Sequence, residues 1–225
     1  MIGIICATSE ETQAVKSEMT DIQEEMSGGI ICFKGKFCNK DIILVRSGIG
    51  KVNAAMTATI LIYKYNTDTV IFSGVAGSLS KNIGIGDIVI SDDLIQYDVN
   101  VVEFGYKSGQ IPEMEQWIFK SDRDLLKKAE KINNSKFRIF FGRILTGDKF
   151  VSRKEIKEQL GNDFEGLCVD MESAAVAHVC YRMNVKFLAI RSISDSLTDE
   201  SGMEYDRFVK LAADNSKEIL KEILK

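Results

Sequence analysis

Three acidic residues stand where apolar, strand-like segments of the chain give way to helices or loops. Glu11 follows the first such segment, Glu172 follows the run LCVDM, and Asp195 ends the run FLAIRSISD. In an open α/β sheet, ligands bind outside the carboxyl ends of the strands, so these three acids can face one crevice. Carboxylates in this position favour acid–base catalysis without a metal. A structural interpretation stays open for each, because Asp is common at turns and acids suit the first turn of a helix.

Other groups for catalysis or metal binding are few. The one histidine, His178, lies in an alanine-rich segment with helical character, where a structural role is the commoner one. The cysteines are odd in number and form no CxxC pair, which argues against a disulfide framework and a structural zinc site. We therefore expect neither a metal nor a cofactor.

The composition excludes several classes of protein. The chain has 225 residues and a net charge of −4, with no long basic run, so a nucleic-acid surface is not indicated. No segment approaches the roughly 20 apolar residues of a membrane-spanning helix. The start, MIGIICATSEE, lacks the basic region and cleavage site of a signal peptide, and we expect a cytoplasmic protein without a membrane partner.

Strand-like and helical segments alternate along the whole chain, without a linker, a repeat or a low-complexity run. This alternation predicts a single α/β domain over residues 1–225. Its expected architecture is a three-layer sandwich, in which helices flank a central mixed β-sheet. Within it, the segment from Lys154 to Leu160 is predicted to be a short exposed helix.

Two small-residue segments follow strands and are predicted to be loops that share a cleft. Residues 47–51 read SGIGK before an alanine-rich helix, and residues 74–77 read GVAG after a buried-type strand. A glycine loop at a helix N-terminus can approach a ligand closely, although the spacing fits neither a Walker loop nor GxGxxG. Simple tight turns are the alternative. A longer aromatic loop at 99–112 predicts a lid, a subunit contact or a self-packed surface loop.

Seven motifs extend this picture over nearly the whole chain. They are SGIGKVNAA, SGVAGSL, GDIVISD, EFGYKSGQIP, TGDKFV, VDMESAAVAHVC and RSISDS. In this order and spacing they resemble the 5′-methylthioadenosine/S-adenosylhomocysteine nucleosidases, a family within the nucleoside phosphorylase superfamily. The resemblance implies a nucleoside phosphorylase-like fold, a purine nucleoside substrate and a homodimer.

The reaction implied by the resemblance is hydrolysis of the N-glycosidic bond in a 5′-thio-substituted adenosine, a step of methionine salvage that releases adenine. The substrates would be 5′-methylthioadenosine and S-adenosylhomocysteine, with 5′-deoxyadenosine as a further candidate. Asp195 would protonate adenine at N7, Glu11 would activate the water, and Glu172 would bind the ribose hydroxyls. Glycoside hydrolysis uses a similar pair of separated carboxylates, one protonated and one ionised.

The resemblance also assigns the walls of the site. Phe150 would stack on adenine, Val151 would read the edge of the base through its backbone, and Met171 would pack against the sugar. The other positions expected at the substrate or in support of the acid are Ala7, Ile49, Gly74, Val75, Ala76, Arg191, Ser194 and Tyr205. The residues expected to reach across a dimer to the 5′ substituent are Phe104, Tyr106 and Pro112.

The chain departs from the common family pattern at four positions. Val75 stands where a serine is frequent, so a side-chain hydrogen bond is lost there. Asp170, Thr8 and Tyr205 replace a frequent glutamate, methionine and phenylalanine. None of these positions is an expected acid, base or ribose-binding residue, but they leave the preferred 5′ group open.

Three other functions stay open on the residues alone. A phosphorolytic enzyme would need cationic or multiple N–H partners for phosphate. Apolar Phe72 lies near the place where purine nucleoside phosphorylases carry an arginine, which argues against this function, while Lys51 stays a candidate anion partner. A futalosine-type nucleosidase would share the chemistry and differ in the 5′ substituent. A nucleoside-binding protein without turnover would not require all three acids.

Overall fold

The computed structural model describes residues 1–198 and 203–225. The strands in these residues are β1 (Ile2–Cys6), β2 (Thr20–Ser27), β3 (Ile30–Phe37), β4 (Lys40–Arg46), β5 (Thr69–Ser78), β6 (Ile88–Gln96), β7 (Ile118–Lys120), β8 (Ile139–Thr146), β9 (Gly166–Asp170) and β10 (Lys186–Asp195). The α-helices are α1 (Ser9–Lys16), α2 (Lys51–Tyr65), α3 (Arg123–Ala129), α4 (Lys154–Phe164), α5 (Ser173–Arg182) and α6 (Met203–Leu224). None of these helices combines the length and the apolar character that crossing a membrane requires.

All the strands belong to one mixed sheet, in the order β10-β6-β8-β9-β5-β1-β4-β3-β2, with β7 paired to β6. At its centre, β1 runs parallel to both β4 and β5, and Ile4 lies opposite Leu44 and Ile71. Strands covered on both faces read as continuous apolar runs, as β1 does. Antiparallel pairing of β2, β3 and β4 builds one edge. The mixed sheet predicted from the sequence is therefore confirmed.

The sheet also closes on itself, which the sequence did not predict. The long strands β5 and β10 run parallel to each other, and the far end of β5 pairs in addition with β9. Because β9, β8, β6 and β10 are successive neighbours, five strands complete a ring. On the other edge of β5, the pairing with β1 stops at Phe72 and the pairing with β9 begins at Gly77. Residues 74–76 therefore border an opening between β1 and β9.

Residues 74–77 lie in the C-terminal half of β5 and do not form a loop, so the prediction is wrong at this segment. Glycine weakens a strand, but it also marks places where other groups approach the backbone closely. A Cβ added at Gly74 would lie 2.6 Å from Oε1 of Glu11 and would overlap the guanidinium of Arg191. The missing side chain lets an ordered strand pass beside two buried charged groups.

Helices cover both faces of the sheet. One apolar core contains Ala58 of α2 and Ala174 of α5, together with Phe72 of the sheet. The core on the other face contains Ile219 of α6 together with Ile4. Small side chains on α2 and α5 allow these two helices to pack closely together. The three-layer arrangement of helices around a sheet is thus confirmed.

Helix α4 is longer and less exposed than the sequence predicts. It continues beyond Leu160 to Phe164, and Lys157, Leu160 and Phe164 are all buried. These residues recur at intervals of three and four, which places them on one face of the helix. The prediction of an exposed helix is therefore wrong, because a lysine occupies the buried face and the composition alone looks polar.

Candidate active site

A cavity of about 470 Å³ opens at the carboxyl ends of β1, β9 and β10 and beside β5. Its volume lies within the range of sites that hold small organic ligands. The residues expected from the sequence that line this cavity are Ala7, Glu11, Ile49, Val75, Ala76, Phe150, Val151, Met171, Glu172, Ser194, Asp195 and Tyr205. The three acids at the strand ends therefore border one space, in line with the position of ligand sites in α/β sheets.

Glu11 is held in the cavity wall by three backbone N–H groups. Ala7 and Thr8 donate to its Oε2 at 2.7 and 3.0 Å, and Val75 donates to its Oε1 at 2.9 Å. Thr8 is also the N-cap of α1, where its side chain and that of Glu11 complete a capping box. Glu11 thus caps the first turn of α1 with the same buried carboxylate that faces the cavity. Its structural and chemical roles are compatible.

Asp195 is the last residue of β10 and is almost fully buried. Ser194 Oγ donates a hydrogen bond to its Oδ1 at 2.9 Å, and Lys157 Nζ lies 2.8 Å from its Oδ2. At Gly77 of the neighbouring β5, a Cβ would approach Oδ2 to 2.7 Å, so the strand accommodates the carboxylate only through this glycine. Both carboxylate oxygens are therefore positioned by neighbours, one of which is a cation.

Glu172 is the N-cap residue of α5 and accepts a hydrogen bond at Oε1 from the Gly50 N–H, at 2.9 Å. Burial is the main cause that raises the pKa of Glu172 to about 7, and repulsion from Asp170 adds to it, while Arg191 opposes the shift. This carboxyl therefore changes its charge near neutral pH. The SGIGK segment supplies a backbone donor to an acid of the site.

Arg191 lies beneath the cavity and not in its wall. Its guanidinium is fully buried, stacks 4.0 Å from the ring centroid of Phe72, and donates to Ser173 Oγ. Its Nε is 2.8 Å from Asp170 Oδ2, and one terminal nitrogen is 4.0 Å from Glu172 Oε2. A buried cation needs such partners to offset its desolvation. Arg191 thus fixes the carboxylates of Asp170 and Glu172 from beneath the cavity.

Aromatic and apolar side chains form the open side of the cavity. The rings of Phe150 and Tyr205 lie edge to face with centroids 6.0 Å apart. Phe150 is 49% exposed, while Val151 beside it is buried. Burial raises the pKa of Tyr205 to about 12, so its hydroxyl stays neutral. A free aromatic face of this kind suits a flat ring system.

Five expected residues lie outside the cavity wall. Arg191 lies beneath it, and Gly74 lies on β5 next to the side chains of Glu11 and Arg191. Phe104, Tyr106 and Pro112 belong to the segment between β6 and β7 and do not line the cavity of their own chain. Phe104 ends a single turn of 3₁₀ helix and is 80% exposed.

Sequence reasoning missed several residues of the site. Further residues in the wall are Thr8, Gly77, Lys149, Val169, Asp170 and Asp206. The main omission is Lys157, whose fully buried ammonium contacts Asp195 from outside the wall. A signal was present, because in KEIKEQLGNDF this lysine shares a helical stripe with Leu160 and Phe164.

Few cations line the wall of the cavity itself. Among the described residues of the wall, Lys149 is the one cation. Lys51, the candidate anion partner, pairs with Asp98 at 2.7 Å. Because phosphate binding uses several charged or N–H donors, this wall is better suited to a neutral ligand.

Comparison with known proteins places the chain in a family. The family model of the phosphorylase superfamily matches residues 1–225. A 5′-methylthioadenosine/S-adenosylhomocysteine nucleosidase of Listeria innocua is 40% identical over 230 residues, which cover 100% of this chain and 98% of that protein.

Solved structures extend the similarity to three dimensions. The 5′-methylthioadenosine/S-adenosylhomocysteine nucleosidase of Helicobacter pylori is 38% identical, with a TM-score of 0.93 and coverage of 99% of this chain and 97% of that one. The futalosine hydrolase of Helicobacter pylori is 36% identical, with a TM-score of 0.94 and coverage of 99% and 96%. The chain belongs to the phosphorylase superfamily and, within it, to the family of the 5′-methylthioadenosine/S-adenosylhomocysteine nucleosidases.

Proposed function

We propose that this protein hydrolyses the N-glycosidic bond of 5′-methylthioadenosine and S-adenosylhomocysteine and releases adenine. The observation that carries the proposal is a single cavity bordered by Glu11, Glu172 and Asp195, with the aromatic face of Phe150 at its open side. Departure of a purine leaves the ribosyl group with oxocarbenium character, so the base must gain a proton while water attacks the sugar. Two acids in one cavity can serve these two steps.

In the proposed reaction, Asp195 gives a proton to N7 of adenine and Glu11 takes a proton from the attacking water. The bond between C1′ and N9 breaks, its electron pair goes to the purine, and the water oxygen bonds to C1′. Glu11 suits the part of base because backbone N–H groups fix its carboxylate beside the cavity. General acid and base catalysis of this kind each contribute about 10²- to 10⁴-fold in rate.

The remaining contacts follow from the shape of the wall. Glu172 and Met171 border the space that we assign to the ribose, and the exposed face of Phe150 is assigned to adenine. The backbone of Val151 is assigned to the edge of the base. Arg191 and Ser194 are assigned to positioning the carboxylates, because Arg191 contacts Asp170 and Ser194 donates a hydrogen bond to Asp195.

Product analysis tests the reaction type. The protein is incubated with 5′-methylthioadenosine, with and without phosphate, and the sugar product is identified by mass spectrometry. Hydrolysis predicts free methylthioribose in both incubations. Methylthioribose 1-phosphate would show phosphorolysis, and intact nucleoside with measurable binding would show a binding protein without turnover.

Futalosine is the second candidate substrate, because the chain is also similar to a futalosine hydrolase. Both reactions would use the same acid, base and purine contacts and would differ at the 5′ position. We expect a higher kcat/KM for 5′-methylthioadenosine than for futalosine. The opposite ranking would assign the protein to futalosine hydrolysis.

We further propose that the protein is a homodimer in which Phe104, Tyr106 and Pro112 cover the 5′ substituent bound to the neighbouring subunit. Large apolar side chains stay exposed on α2, where Val52 is 79% and Tyr63 is 82% exposed. Such a surface supports an interface between subunits.

The cellular setting is proposed on chemical grounds. All five cysteines lie in the described part of the chain and are free thiols, which supports a reducing compartment such as the cytoplasm. The proposed products, adenine and a thioribose, support a role in methionine salvage. We treat residues 1–225 as a single domain because one sheet connects all three layers.

A further inference from the structure

Lys157 is a buried cation that the proposed reaction has not yet used. It lies in the first turn of α4, and its side chain is fully inaccessible to solvent. Its Nζ contacts Asp195 Oδ2 at 2.8 Å and the backbone oxygen of Ser196 at 2.6 Å. A buried ammonium is costly unless it is paired and hydrogen-bonded. The two partners of Lys157 are the last residue of β10 and the residue that follows it, so the cation is directed at the proposed acid.

The ion pair raises a question about the source of the proton. A carboxylate paired with an ammonium only accepts hydrogen bonds, whereas a general acid must carry a proton to donate. Asp195 is almost fully buried, so bulk water has little access to it. The ammonium of Lys157 and the hydroxyl of Ser194 are the described donors to the side chain of Asp195. Of these two, the ammonium is by far the stronger acid.

We propose that Lys157 supplies the proton that Asp195 delivers to the leaving purine; this inference rests on the proposed function. As the bond between C1′ and N9 breaks, one proton moves from Lys157 Nζ to Asp195 Oδ2, and the proton of the resulting acid goes to N7. Lys157 becomes a neutral amine and Asp195 returns to a carboxylate. The water gives its proton to Glu11, which returns it to the Lys157–Asp195 pair through solvent after the products leave.

Charge balance favours this route. The ribosyl group gains positive charge as the purine leaves, and the same step removes a positive charge from Lys157. The buried site therefore never holds the charged ammonium of Lys157 and the ribosyl cation at the same time. In a low-dielectric site this matters, because an additional uncompensated charge would be strongly unfavourable. Lys157 acts through Asp195 and does not line the cavity itself, so it is a positioning residue that also holds the proton.

Two variants separate proton supply from simple ion pairing. Lys157→Arg keeps a cation next to Asp195, but a guanidinium does not release its proton in proteins. Lys157→Gln removes the charge and keeps a hydrogen-bond donor. Lys154→Met, on the same helix and outside the cavity wall, is the matched control.

The readout is a comparison of two substrates within each variant. 5′-Methylthioadenosine needs a proton on its leaving group, whereas para-nitrophenyl methylthioriboside has a leaving group that departs as an anion. We expect both Lys157 variants to lose about 100-fold or more in kcat on methylthioadenosine and less than about tenfold on the nitrophenyl substrate. The Lys154 control should lose neither activity. Partial misfolding lowers both rates equally, so the ratio between substrates stays informative.

Three results would overturn the inference. Equal losses on both substrates would make Lys157 a purely structural residue. Wild-type rates in Lys157→Arg on methylthioadenosine would show that a fixed cation is enough. Unchanged rates in both variants would show that Asp195 obtains its proton elsewhere. A wild-type protein inactive on both substrates would instead contradict the proposed function itself, and with it the basis for this inference.

Discussion

The backbone N–H of Val75 donates a hydrogen bond to Oε1 of Glu11 at 2.9 Å, across 64 positions of the sequence. Strand β5 therefore helps to position the carboxylate that we assign as the base, although Glu11 itself belongs to α1. The bond is possible because Gly74 leaves room for the side chains of Glu11 and Arg191. The position of the Glu11 carboxylate therefore depends on the absence of a side chain at Gly74.

Replacement of Gly74 tests this dependence of Glu11 on the glycine. In Gly74→Ala the new Cβ would lie 2.6 Å from Glu11 Oε1, so the carboxylate and the guanidinium of Arg191 must both move. We expect kcat on 5′-methylthioadenosine to fall about 100-fold, as for loss of a general base, together with a lower melting temperature. Gly84→Ala is the control, because the nearest atoms to its Cβ lie at 3.8 Å. Similar rates in the two variants would contradict the role assigned to the missing side chain at Gly74.

Glu172 should make stability depend on pH. Its pKa is raised from 4.5 to about 7, so the folded protein holds this proton more tightly than the unfolded chain does. The resulting stabilisation is complete below about pH 4.5 and is lost as the pH rises to about 7, a change on the order of 3 kcal/mol. Glu172→Gln cannot ionise and avoids this loss.

The measurement is the melting temperature of wild type and Glu172→Gln between about pH 5 and about pH 8. The variant should gain on the wild type as the pH rises. Glu155→Gln, at an exposed position of α4, serves as the control and should follow the wild type. A constant difference between Glu172→Gln and wild type would exclude the raised pKa.

Phe150 should govern purine binding more than the chemical step. Its exposed ring offers a stacking surface, and such contacts are worth about 0.5–1.5 kcal/mol beyond the buried area. Phe150→Ala should therefore raise KM for methylthioadenosine about tenfold and change kcat less. Phe150→Tyr keeps the ring and should restore KM. If kcat falls while KM is unchanged, Phe150 has a different role.

The exposed face of α2 should mediate dimer formation. Val52 and Met56 are 79% and 42% exposed and lie one helical turn apart. Light scattering should give the mass of a dimer for the wild type. The double variant Val52→Glu/Met56→Glu should have the mass of a monomer. The monomer should also show a raised KM if Phe104 of a second subunit covers the 5′ group. A monomeric wild type with full activity would contradict the proposed interface.

The sequence predicts much of the fold because its patterns are local. The apolar run of β1 and the alanine-rich run of α5 indicate their structure directly. A site shared by Glu11, Glu172 and Asp195 could be predicted because the carboxyl ends of strands meet at one edge of such a sheet. What the sequence alone cannot supply is the closure of the sheet, since the pairing of β5 with both β9 and β10 depends on contacts between distant segments.

The same limit explains the errors at two segments. GVAG looks like a turn, yet Gly74 and Gly77 are selected by the close approach of Glu11 and Asp195, which are distant in sequence. Lys157 looks like a surface residue, because burial of an ammonium depends on a partner that the local sequence does not contain. In both cases a distant charged side chain overrides the local propensity.

The most direct test of the account is the turnover of 5′-methylthioadenosine by Asp195→Asn, with binding measured on the same protein by calorimetry. The amide keeps the size of the side chain but cannot deliver a proton to N7. We predict that turnover falls by at least about 100-fold while the nucleoside still binds. Turnover near that of the wild type would contradict the central claim that Asp195 is the acid of the reaction.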